Sequence, residues 1–151
     1  RILISGDALW ENGFGLIFPE LFGQAGGYAA TRATLEAISR LDIATVIPGH
    51  GAPFGNVERA LETSFRRLDA YERDPVKLAR HALKVMLSFS LMIQGRMALA
   101  ELPRFLATRP IYGDINRRFL HLSEAELREY LLRDLARAGA LKLEDGWLLA
   151  A

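Results

Sequence analysis

Apolar and polar positions along the chain change period several times, and each change marks an element. Ile2-Leu3-Ile4 is a short unbroken apolar run that predicts a strand over residues 1 to 5, closed by Ser5-Gly6-Asp7. The stretch ALWENGFGLIFPELFGQAGGY, residues 8 to 28, keeps no period and is rich in glycine and aromatics, so it reads as a long connection of the kind that usually carries function. Ala33, Leu35, Ala37, Ile38 and Leu41 recur at near-helical spacing and predict a helix from Thr31 to Leu41; Ile43 to Ile47 then reads as a second buried strand.

Asn56 is placed to cap a helix whose Val57, Ala60, Leu61, Phe65 and Leu68 form one stripe, running to about Arg73. Pro75 restarts a helix, strongly apolar from Leu83 to Ile93 and stopped by Gly95. A third helix is expected near 98 to 108, and RPIYGDINRRFLH, residues 109 to 121, reads as a link. Ser123 and Glu126 form a capping box ahead of a helix carrying Leu127, Tyr130, Leu131, Leu135 and Ala138 on one side. After Gly139, Leu141-Lys142-Leu143 and Trp147-Leu148-Leu149 flank Glu144-Asp145-Gly146, the pattern of a β-hairpin with an Asp-Gly turn. The front is thus a strand, loop, helix, strand unit, an α/β arrangement. The back, helices followed by a two-stranded wing, has the outline of a winged-helix domain.

Charge sharpens this division. Residues 1 to 74 hold 7 Lys/Arg and 10 Asp/Glu, residues 75 to 151 hold 12 and 8, so −3 is followed by +4. A boundary at Asp74-Pro75 gives domains 1–74 and 75–151. The asymmetry is too mild to indicate nucleic acid. Half of the residues are hydrophobic, enough for a real core. Cysteine is absent, so any metal must be held by His, Asp or Glu. The longest strongly apolar stretch, residues 85 to 93, is far short of the roughly twenty residues of a membrane span, and a soluble, cytoplasmic protein without a membrane partner is expected. The chain begins with Arg inside a strand, with no leader ahead of it, and reads as a piece of a longer protein.

Two metal-ligand residue types stand at the two strand ends: Asp7 after ILISG, and His50 after VIPG. Singly, each is a common turn residue. Together they offer one carboxylate and one imidazole, which zinc and related ions accept. With LISGDAL and VIPGHG in these places, the sequence resembles the second half of a metallo-β-lactamase superfamily hydrolase, closely over about residues 1 to 55, while the helical remainder is similar to the winged-helix-like extension of some members.

The resemblance implies half of an αββα sandwich followed by a mostly α winged-helix-like domain. It implies Asp7 as the carboxylate bridging two metal ions, zinc, and His50 as the last histidine ligand of one of them. It implies hydrolysis of a small-molecule ester, thioester, lactam or phosphodiester by water activated at the dinuclear site. The family's His-x-His-x-Asp-His motif occurs nowhere in these 151 residues, which contain only three histidines. The chain alone is therefore expected to be inactive, to bind zinc weakly, and to self-associate or pair with the missing N-terminal half through its uncovered sheet.

Other residues keep two readings. Trp10, Phe14, Phe18, Phe22 and Tyr28 line a substrate pocket or pack the loop onto the sheet; Trp10 and Phe14 are the substrate-binding candidates. Arg104, Arg109, Arg117 and Arg118 bind an anion or form a solvated face. His81 and His121 sit in the helical part without the spacing of a ligand motif and are expected to be structural. Residues 75 to 151 are an alternative functional part, a nucleic-acid-binding or protein-interaction module without catalysis, with the front segment as scaffold. Against nucleic acid stands the mixture of Glu124, Glu126, Glu129 and Asp134 with Arg128, Arg133 and Arg137 on the last helix.

Overall fold

The computed structural model describes all 151 residues, a mixed α/β chain of seven helices, a parallel two-stranded sheet and an antiparallel three-stranded sheet. It divides into two compact units, Arg1–Leu78 and Ala79–Ala151. No helix is long and apolar enough to cross a membrane.

In the first unit, β1 (Ile2–Gly6) pairs in parallel with β2 (Thr45–Pro48), Leu3 opposite Val46 and Ile4 opposite Ile47. A parallel pair needs a crossover. Here it consists of the loop after Asp7, the single turn α1 (Phe18–Leu21) and the helix α2 (Gly27–Ser39). Helix α3 (Val57–Arg73) follows, with Asn56 accepting from the Arg59 amide as its cap, and Arg32 of α2 bridges to Asp69 and Glu72 of α3 at 2.6 and 2.8 Å. Val46, Leu35, Ile38, Leu61 and Leu68 form the buried side. The other sheet face is bare: Ile2, Ile4 and Ile47 keep 69%, 79% and 39% of their surface exposed. Parallel sheets are ordinarily covered on both faces.

Helix α2 begins at Gly27, four residues ahead of the expected start at Thr31. The Tyr28 amide donates to the Glu20 carboxylate across α1, so the helix is capped from eight residues upstream rather than by its own neighbours. The expected structureless stretch 8 to 28 accordingly contains α1, with Pro19 in its first turn.

The second unit contains most of α4 (Pro75–Gln94), then β3 (Arg96–Ala98), a 3-10 turn, α5 (Leu102–Ala107), α6 (Pro110–Ile115), a π-helical turn over Asn116–Leu120, α7 (Glu124–Arg137), β4 (Leu141–Glu144) and β5 (Trp147–Ala150). The sheet order is β3-β5-β4. The hairpin forms on Asp145 and Gly146, both with positive φ, as a two-residue turn requires. Two expectations change. The helix expected near 98 to 108 is shortened to a 3-10 turn and α5, because residues 96 to 98 form a strand paired with β5, and the link 109 to 121 is mostly helical. Pro110 starts α6 with its fixed φ, and the Asn116 side chain closes the far end by donating to the Leu122 carbonyl at 2.7 Å and accepting from its amide at 3.2 Å. His121 takes the left-handed conformation that turns the chain into α7.

The capping box of α7 is complete: the Ser123 amide and hydroxyl both donate to the Glu126 carboxylate at 2.8 and 2.6 Å, and the Glu126 amide donates back to the Ser123 hydroxyl. Those bonds hold the Glu126 carboxyl below its ordinary 4.5. Their contribution is fully present above that value and fades as pH falls through the lowered one. Ser123→Ala is expected to cost about 1 kcal/mol in urea unfolding at neutral pH, and less at pH 3; an equal cost at both would contradict this account of the cap.

Candidate metal centre

Parallel pairing of β1 with β2 places their C-terminal ends side by side, and both candidate ligands sit just beyond those ends. Gly6 lies opposite Pro48 after a register shift, and the Gly49 amide donates to the Gly6 carbonyl at 2.8 Å, tying the turn of Asp7 to the turn of His50. Asp7 Oδ1 and His50 Nε2 are then 3.7 Å apart, both side chains well exposed. That is too long for a hydrogen bond. It is close to the separation of two donors on one tetrahedral ion, about 3.4 Å for bonds of about 2.0–2.2 Å.

The backbone around Asp7 is kept small. A Cβ on Gly15 would stand 2.9 Å from Asp7 Cβ, and one on Gly49 would stand 3.0 Å from Asp7 Oδ1. The Gly15 amide donates to the Asp7 carbonyl at 2.8 Å, so this glycine both closes the turn and leaves room for the carboxylate. The sequence reading missed Gly15; its only local signal is a glycine directly after an aromatic in a glycine-rich loop.

Trp10 stands edge-on to His50, with ring centroids 5.2 Å apart, and its indole N–H donates to the Gly6 carbonyl at 3.1 Å. It braces the imidazole and the strand end. Phe14 is buried, meets Tyr71 edge-to-face, and forms one wall of a cavity of about 320 Å³ that also borders Asp7, Phe18, Thr31 and Thr34. Phe18 and Phe22 stack on each other and remain partly exposed. Tyr28 is half-buried, and its desolvation pushes the phenol up.

The donor set fits an ion of the zinc type as two ligands and no more. Nowhere in the chain do three His, Asp or Glu side chains gather to hold a metal. His81 and His121 belong to the second unit. Among the arginines expected to be an anion site or a solvated face, Arg117 pairs with Asp114 and Arg109 lies over the Phe105 ring. Burial pushes the phenols of Tyr112 and Tyr130 up to about 12, which removes both from acid-base work near neutral pH.

No protein-family model matches this sequence, and no curated protein matches it either.

Proposed function

We propose that this chain is part of a metal-dependent hydrolase of the metallo-β-lactamase type, with Asp7 and His50 as two of the ligands of a dinuclear zinc site. The observation that carries the reading is the 3.7 Å approach of a carboxylate oxygen and an imidazole nitrogen at the ends of two adjacent parallel strands. The bare face of that sheet supports it further, because a second sheet layer would cover Ile2, Ile4 and Ile47. In this reading residues 1–74 are the C-terminal part of an αββα sandwich and residues 75–151 a winged-helix-like domain.

Bound metal would supply the Lewis acidity that makes water a usable nucleophile near neutral pH. The residues of this chain do the holding. Asp7 presents a carboxylate with two oxygens, His50 a neutral nitrogen donor, and Trp10 and the Gly6–Gly49 bond fix both against sideways movement. In the net reaction water adds a hydroxyl to the acyl or phosphoryl centre and a proton to the departing alcohol, thiol or amine.

The remaining ligands would come from a His-x-His-x-Asp-His segment that these 151 residues lack. We therefore expect the chain alone to lose zinc on dialysis and to turn over no chromogenic ester or thioester, because catalytic zinc sites use three or more protein ligands. Metal analysis after dialysis and an ester screen check both points. Stoichiometric retained zinc, with turnover abolished by His50→Ala, would contradict this two-ligand account. The reading frame ahead of codon 1 tests the hydrolase assignment itself: the histidine motif there supports it, and a frame without the motif opposes it.

The winged-helix outline of the second unit offers a nucleic-acid reading, but its charges do not favour it. Asp134 of α7 is paired with Lys84 and Arg133, and glutamates alternate with arginines along the helix.

A further inference from the structure

A cavity of about 600 Å³ in the second unit, bordered by α5, α6 and the start of α7, separates arginines that read alike in the sequence. Arg109 and Arg117 border it, Arg104 and Arg118 do not, and Arg128 of α7 joins the first two. The volume is that of a small-molecule pocket, about 300–1,000 Å³. Pro103, Leu106, Pro110 and Leu127 give it apolar surface.

The three arginines are in different states. The Arg109 guanidinium carbon lies 3.6 Å from the centroid of the Phe105 ring, and one N–H donates to the Phe105 carbonyl at 3.3 Å, with no carboxylate paired to it. A guanidinium already held in one plane loses little further freedom when it binds. Arg128 is half-buried and has no ion-pair partner, although Glu124 stands one turn ahead of it on α7. Arg117 pairs with Asp114, and the Asn116 side chain is spent on Leu122. Three arginines set against Asp114 and Glu124 leave one positive charge on the cavity. A surplus cation beside apolar surface is met best by an anion that accepts its N–H groups and brings hydrocarbon for the rest.

We propose that this cavity binds a small organic monocarboxylate, its carboxylate taken by Arg109 and Arg128 and its hydrocarbon body by Leu106, Pro110 and Leu127. Inorganic phosphate finds the same donors but brings no hydrocarbon for the apolar lining, and its second charge exceeds the single surplus cation. The site is complete within the second unit and does not depend on the hydrolase reading.

Fluorine NMR titration of the full chain tests this, with 4-(4-fluorophenyl)butyrate as the probe and the matching alcohol, alike in size and uncharged, as its comparison. The carboxylate is expected to bind about tenfold more tightly than the alcohol, the worth of a hydrogen bond to a charged group. Arg109→Gln and Arg128→Gln are each expected to weaken the carboxylate about fivefold or more and to leave the alcohol unchanged. Ala125→Phe, which adds bulk at an exposed cavity-lining position of α7, is expected to weaken the carboxylate with the circular dichroism spectrum unchanged. Amide shifts on adding the carboxylate are expected among residues 103 to 128, and millimolar inorganic phosphate is expected not to displace it. The proposal is overturned by no carboxylate binding at millimolar concentration, by equal or tighter binding of the alcohol, or by carboxylate binding that survives both arginine substitutions in folded variants. Displacement by phosphate, or amide shifts confined to residues 1 to 78, would overturn it as well.

Discussion

Gly15→Val is expected to destabilise the first unit by about 1–3 kcal/mol, the usual range for forcing extra carbon into a packed site, and to remove what zinc affinity the chain has. The backbone at Gly15 is not in the left-handed region, so the cost is steric. The new Cβ would start 2.9 Å from Asp7 Cβ and 3.4 Å from its Cγ, and a branched side chain worsens both contacts. Relief requires Asp7 to swing away or the loop to lift, which breaks the bond from the Gly15 amide to the Asp7 carbonyl. Urea unfolding and a zinc titration on the same sample measure the two effects. Unchanged zinc affinity in a destabilised protein would mean that Asp7 is held by something other than this glycine cradle.

The second large effect concerns association. Ile2 and Ile4 expose 69% and 79% of their surface beside Ile47, on a two-stranded sheet in which β1 is paired on one side only. Apolar face and open edge together favour strand-to-strand or face-to-face contact. The chain is expected to be oligomeric at micromolar concentration, and the double substitution Ile2→Lys, Ile4→Lys to shift it to monomer without loss of helix content. Light scattering on both proteins decides the matter. A monodisperse monomer for the unaltered chain would remove the argument that this sheet awaits a second layer.

Local signals in the sequence were sufficient for several elements. Asn56 capping α3, the Ser123–Glu126 box, the Asp145-Gly146 turn and the breaks at Pro75 and Gly95 each depend on neighbours within about four residues, and each stands in the structure as read. Partners distant in sequence were not legible. Strand β3 exists because Arg96–Ala98 pairs with Trp147–Leu149 some fifty residues later, and α2 starts early because Glu20 accepts from the Tyr28 amide in its first turn. Helix α6 had Pro110 as a start signal, but Gly113 and Asp114 dilute its helical pattern, and Asn116 secures its end by bonding to Leu122.

The candidate site divides along the same line. That Asp7 and His50 are ligand types at strand ends was visible in the residues. Their separation was not, since it depends on the register of β1 against β2 and on the shift between Ile4 and Gly6. The cavity was harder still: it is assembled from the aromatic loop and the exposed side of α2, and Thr31 and Thr34 have no chemical signature in a helix-forming stretch.

The central claim is that Asp7 and His50 ligate one ion. Long-range proton–nitrogen NMR of the histidine rings, recorded with carboxyl-carbon spectra during a zinc titration, tests it directly. The account predicts that the Nε2 resonance of His50 and the side-chain carboxyl of Asp7 shift together with one binding curve, and that His81 and His121 do not follow it. Zinc-dependent shifts at His81 or His121 along that curve, or a shift of His50 with Asp7 unmoved, would contradict it.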